Sequence, residues 1–300
     1  MTSTFSRMTW ALAAMTLLVA ATGRGDQSSC DRCPVWNLAQ PPFQIYGNTY
    51  YVGVRGLSAI LIASPEGHVL IDGALPESAA RIADNVRALG FRIEDVKLIA
   101  NSHVHYDHAG GIAELQRLSG AEVVASAASA AVLKHGGVGR DDPQFGILLP
   151  IRAVRRVRTI ADGETLHVGP LALTAHLTPG HTPGGTTWTW SSCEQTRCLD
   201  VVYADSLSAI SADGFLFSRN HRYPHVVQDF ERSFARMSAL RCDILVSTHP
   251  EVSNFWDRLA KRTAGDANAL VDAAACARYV ELAREGLAKR LAREASTGKF

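Results

Sequence analysis

Between Asn101 and Gly111 the chain reads Asn-Ser-His-Val-His-Tyr-Asp-His-Ala-Gly-Gly, and this segment limits what the rest can be. Three histidines and one aspartate crowd into positions 103 to 108, directly after the apolar run Val96 to Ala100. That run reads as a buried strand. Side chains alternate along an extended backbone, so His103 and His105 point the same way. Asp107 and His108 fall where the chain turns towards a helical stretch, Gly111 to Leu118, and can aim at a neighbouring point. Imidazole nitrogen and carboxylate oxygen are partners that zinc takes, at about 2.0–2.2 Å. The spacing can feed two metal ions rather than one. A surface histidine cluster with no role is the plainer alternative; the apolar strand before it and the glycines after it argue against that.

One segment cannot complete two coordination spheres. His181 sits in Leu-Thr-Pro-Gly-His-Thr-Pro-Gly-Gly (177 to 185), a rigid loop after a strand, and His249 sits in Ser-Thr-His-Pro (247 to 250), again at a strand end. Binding residues collect on loops that a rigid scaffold positions. Either histidine alone would read as structural. Beside the first motif, both become candidate ligands.

The rest of the chain predicts mixed strands and helices in both halves. Short apolar runs punctuated by turns mark strands at Ile45–Tyr46, Thr49 to Val54, Ser58 to Ala63 and Val69 to Ile71, with a helix over Ser78 to Leu89. Later strands are expected at Glu122 to Ala125, Leu166 to Val168, Leu171 to Leu177, Thr186 to Trp190, Leu199 to Tyr203 and Ile244 to Ser247. Phe230, Phe234, Met237 and Leu240 repeat at helical spacing within Gln228 to Leu240, and the Ala-, Leu- and Arg-rich tail from Ala264 to Ala292 reads as a helix. This order suits an α/β protein: an αββα sandwich of two mixed sheets with helices on the outer faces, one domain over residues 24–300.

Residues 1–23 read as a signal peptide: Arg7, an apolar run from Met8 to Ala21, then small residues before polarity returns at Arg24. Export to the periplasm follows, with no membrane attachment after cleavage. In an oxidising compartment six cysteines suggest disulfides. Cys193 and Cys198 look like the staple of a hairpin loop, Cys242 and Cys276 could tether a C-terminal helix, and a local bridge suits Cys30 and Cys33 better than a redox role. A net charge of +1, without a basic run, argues against a nucleic-acid face. A monomer is expected.

His-x-His-x-Asp-His, the later Thr-Pro-Gly-His and the final strand-end histidine together resemble the signature of the metallo-β-lactamase superfamily, from about Ile45 to His249. Within it the chain looks like the third subclass of class B β-lactamases. The resemblance implies a first zinc on His103, His105 and His181 and a second on Asp107, His108 and His249. It also implies that Asp107 orients the attacking water and that Ser206 and Ser208 bind the carboxylate of a β-lactam substrate. Asp205-Ser206-Leu207-Ser208 places serine where the first subclass has a cysteine ligand, and the Cys193–Cys198 and Cys242–Cys276 spacings look like disulfides of the third. Asp72 resembles a superfamily aspartate beneath the metals, and Gln144 is a candidate to reach the site. The rival of the same fold is a glyoxalase II-like thioesterase or lactonase, in which an aspartate near the position of Asp205 bridges both metals. A secreted zinc-binding protein without turnover is the alternative from another class. His68, His135, His167, His176, His221 and His225 show no partner pattern, although the loop holding His221 and His225 could lie near the site.

Overall fold

A computed structural model of the chain describes residues 1–2 and 30–297. The expected signal peptide, its first two residues aside, lies outside the described residues. Among these residues two sheets pack face to face. The first holds β1 (Phe43–Tyr46), β2 (Thr49–Tyr51), β3 (Ile60–Ile62), β4 (His68–Ile71), β5 (Val96–Ala100), β6 (Glu122–Ser126) and β7 (Val157–Ile160), in that spatial order. The second holds β8 (Thr165–Val168), β9 (Leu171–Leu177), β10 (Thr186–Glu194), β11 (Arg197–Ala204) and β12 (Ile244–Ser247), ordered β12-β11-β10-β9-β8. Strands β4 to β7 run parallel, and β4 is covered on both faces, so Val69, Leu70 and Ile71 form an unbroken buried run.

The helices are α1 (Cys33–Trp36), α2 (Ser78–Ala88), α3 (Tyr106–Ala109), α4 (Ile112–Ser119), α5 (Ala127–His135), α6 (Val226–Ala239), α7 (Phe255–Thr263) and α8 (Ala275–Thr297). Between the sheets lie Ile60, Ile71, Trp188, Tyr203 and Val246. Outside the first sheet, Ile82 and Val86 of α2 and Leu115 of α4 cover Leu61 and Leu70. Outside the second, Phe230 and Phe234 of α6 and Val280 of α8 cover Val202 and Leu245. The layers are helix, sheet, sheet, helix, as the element pattern predicts.

Pairing brings four strand ends to one rim. Leu177 pairs with Thr186, Trp188 with Tyr203, and Ala204 with Ser247 in the parallel β11–β12 pair, so β9, β11 and β12 end where β10 begins. The amide of Thr186 donates to the Ser102 carbonyl at 2.8 Å, tying that rim to the segment leaving β5. The motif's second glycine permits the turn there: a Cβ on Gly111 would stand 2.2 Å from the Gly73 carbonyl oxygen.

Three expectations shift. The tail helix begins at Ala275 rather than Ala264, because residues 264 to 274 spend their hydrogen bonds on other partners. Arg258 donates to the Leu270 carbonyl and the Asp272 amide to that of Asp243, at 2.7 Å for the latter. The β10–β11 hairpin runs on to Glu194 and Arg197, with Cys193 facing Cys198 and bridged to it. Strand β7 and helices α5 and α7 were not expected. Disulfides also join Cys30 to Cys33 and Cys242 to Cys276, and no helix among the described residues is long and apolar enough to cross a membrane.

Candidate active site

At the shared rim, donor atoms gather in two clusters of three. His103 and His105 follow β5 and meet His181 from the β9–β10 loop; their ring centroids lie 4.7 to 4.9 Å apart. Each ring is held from behind, which turns its other nitrogen inward. His103 Nδ1 is 2.7 Å from Asp205 Oδ1, His105 Nε2 is 3.2 Å from Asp142 Oδ2, and His181 Nδ1 donates to the Ser208 carbonyl at 2.8 Å. His103 Nε2 is buried and has no partner. Burial, reinforced by the neighbouring histidines, holds the His103 imidazole well below its ordinary pKa, and burial with the His105 charge lowers His181 to about 3. Three imidazoles aimed at one point are a ready cation site.

The second cluster has sides that can be measured directly. Asp107 Oδ2 lies 3.3 Å from His108 Nε2 and 3.2 Å from His249 Nε2, and the two Nε2 atoms are 3.2 Å apart. Ligands placed about 2.0–2.1 Å from a tetrahedral zinc stand roughly 3.3 Å from one another, so the donors present fit that ion. Burial alone would raise the Asp107 carboxyl, but the charge of His108 and hydrogen bonds from His108 and His249 outweigh it and hold the pKa well below the usual range. Asp107 therefore supplies the negative charge that a divalent ion needs.

Behind these donors sits a polar layer. Asp72, fully buried, accepts from the Ser102 amide at 2.8 Å, the Ser102 hydroxyl at 2.6 Å and Tyr203 OH at 2.8 Å. It fixes the start of the motif without joining either cluster. Asp205 also stands outside both clusters, behind His103. Burial pushes its carboxyl well above the usual range.

The clusters open into a cavity of about 610 Å³ that Gln144, Ser206 and Ser208 also line. The Ser206 hydroxyl is 2.9 Å from that of Thr248, and the Ser208 hydroxyl is 3.2 Å from His181 Nδ1. Gln144 reaches within 3.4 Å of His105 Nδ1. His221 and His225 are exposed and do not border the cavity.

With this geometry in view, the likeness to known proteins becomes informative. The metallo-β-lactamase superfamily model matches residues 52–190. The Rm3 metallo-β-lactamase superposes with a TM-score of 0.88 at 54% identity, over 89% of this chain and 99% of that one. MEM-A1, a subclass B3 metallo-β-lactamase isolated from a soil metagenome library, superposes at 0.86 with 52% identity, over 87% and 99%. The chain belongs to the subclass B3 metallo-β-lactamase family. This B3 family member is also 27% identical over 135 residues to the hydroxyacylglutathione hydrolase of Rhodospirillum rubrum, which is 45% of this chain and 43% of that protein. The chain thus spans less than half the length of that curated relative.

Two contributors to the B3 site escaped sequence reasoning. Asp142 backs His105 from 37 positions away, and nothing local separates it from its neighbour Asp141. Trp36 lies with its ring centroid 5.2 Å from that of His249, while the Gly56 carbonyl accepts from His249 Nδ1 at 3.2 Å and the Gly56 amide donates to the Trp36 carbonyl at 2.9 Å. A Cβ on Gly56 would stand 2.6 Å from Trp36, so α1 docks only on glycine there. Partners that orient a ligating histidine tune its metal affinity by about 10- to 100-fold. Trp36→Ala should therefore weaken retention of the more labile metal equivalent about tenfold, measured by competition with a chromogenic chelator; unchanged retention would remove Trp36 from the site.

Proposed function

We propose that this B3 family member is a periplasmic enzyme, monomeric once residues 1–23 are removed, that hydrolyses the amide bond of β-lactam antibiotics. The observation that carries this reading is the pair of inward-facing donor triads on one cavity, in a chain 54% identical to the Rm3 metallo-β-lactamase. His103, His105 and His181 would hold one zinc ion, and Asp107, His108 and His249 a second. Zinc there would supply a water whose pKa is lowered to about 7 and a Lewis acid for a carbonyl oxygen.

The chain's own residues do the rest. Asp205, Asp142 and the Ser208 carbonyl hold the three histidines of the first triad in one tautomer each, so no rotation is needed before reaction. Asp107 commits Oδ2 to its triad, which leaves Oδ1 to accept a hydrogen bond from the attacking water and so orient it. Ser206 and Ser208 offer hydroxyl donors to the substrate carboxylate from the same wall of the cavity. No serine nucleophile is required.

A thioesterase reading draws on the hydroxyacylglutathione hydrolase likeness. It calls for a second aspartate that bridges both metal sites, and Asp205 faces His103 from outside the two triads. The test is hydrolysis of a carbapenem and a chromogenic cephalosporin by the mature protein, with zinc added and after chelation. Turnover that chelator abolishes and zinc restores is the expected result. Protein loaded with zinc that cleaves a glutathione thioester and neither β-lactam would establish the rival.

A further inference from the structure

The mouth of the cavity is apolar in a way that the reaction itself does not demand. Eight large apolar side chains are exposed among the described residues, and four of them border this cavity: Ile147 at 50%, Val252 at 53%, Ile210 at 55% and Leu282 at 59%. They come from four separate segments, so the clustering belongs to the cavity and not to one greasy loop. Exposed apolar side chains gathered around a concave site mark a surface that binds something apolar.

One wall is helix α8. Tyr279, Leu282, Ala283 and Gly286 line the cavity at intervals of three, one and three residues, which is one helical stripe. The wall is fixed at several points. Cys276 is bridged to Cys242, Tyr279 OH donates to the Asp205 carbonyl at 2.9 Å, and Glu294 accepts from the amides of Phe217 and Ser218 at 3.0 and 2.8 Å. Gly286 sits deep in this 23-residue helix, where glycine weakens helical structure. No close approach calls for glycine there, since an added Cβ would meet nothing within 4 Å. What its missing side chain leaves is room beside Leu282.

We infer that the α8 stripe, with Ile147, Ile210 and Val252 at the same mouth, is a subsite for a bulky apolar substituent, preferably aryl, carried by the β-lactam away from its reacting ring. This rests on the β-lactamase reading and adds a substrate preference to it. The substituent displaces water from the four exposed side chains, and each buried methylene strengthens binding about fourfold.

The test uses two cephalosporins that share a ring system, one with a phenylacetylamino and one with an acetylamino substituent, assayed with the zinc-loaded mature protein. The quantity read is the ratio of their kcat/KM values. Leu282→Ser should lower the ratio, phenylacetyl over acetyl, about five- to tenfold through the KM of the aryl compound. Gly286→Leu, which fills the room, should lower it similarly while leaving the melting temperature the same or higher, so that misfolding cannot account for the change. A ratio unmoved in both variants overturns the subsite. If the parent protein turns over neither compound, the β-lactamase reading itself has failed and the subsite falls with it.

Discussion

An Asp107→Asn enzyme is expected to lose at least about a hundredfold in kcat/KM for a carbapenem and to keep fewer zinc equivalents through gel filtration than the parent. The reason is electrostatic before it is geometric. Among the six donors only Asp107 is anionic, and the hydrogen bonds and charge that surround it hold its carboxyl well below the usual range. Asparagine has nearly the same shape but cannot offset a divalent charge between two imidazoles 3.2 Å apart. It also replaces an oxygen that could orient water with an amide nitrogen. Metal content by atomic emission beside single-turnover hydrolysis checks both parts. Full zinc retention with turnover within threefold of the parent would remove Asp107 from both roles.

At Asp205 the expected result is a split between two substitutions. Asp205→Ala leaves the buried His103 Nδ1 without its partner, so zinc affinity should fall about 10- to 100-fold and stability by roughly 1–3 kcal/mol. Asp205→Asn keeps an oxygen in reach of the imidazole N–H, and burial already disfavours the charged carboxylate. Asparagine should therefore recover most of both losses. An aspartate that bridged two metals would behave otherwise, because its charge would matter and asparagine would fail as badly as alanine. Zinc titration of the two variants separates these outcomes, and with them the two hydrolase readings.

What could be read from the sequence tracks how local each signal is. His103 to His108 announce themselves because alternation and one turn place four donors within six positions. His181 and His249 carry no such local pattern; strand-end position and the resemblance made them candidates. The sheets were legible where apolar runs are continuous, as at Val69 to Ile71. Strand β7 was not, because Val157-Arg158-Thr159-Ile160 buries only its two ends and its pairing with β6 is long-range. The tail failed for a related reason: alanine-rich propensity runs straight through residues 264 to 274, while hydrogen bonds from Arg258 and Asp272 to distant carbonyls decide the backbone there. Asp142 and Trp36 act across 37 and 213 positions, beyond the reach of any spacing argument.

The distribution of donors between the sheets has a consequence for how such a protein survives outside the cytoplasm. Each triad takes two donors from the segment after β5 and one from the second sheet, His181 after β9 or His249 after β12. A cation in either triad is thus a rivet through the two halves of the sandwich, and it cannot stay bound if they part. By linkage, each tenfold rise in free metal above the dissociation constant adds about 1.4 kcal/mol to the folded state. Where zinc is scarce, such a protein would forfeit its rivets together with its chemistry. Proteases would then meet a chain that opens more often, and starvation for one ion would shorten the protein's lifetime as well as silence it.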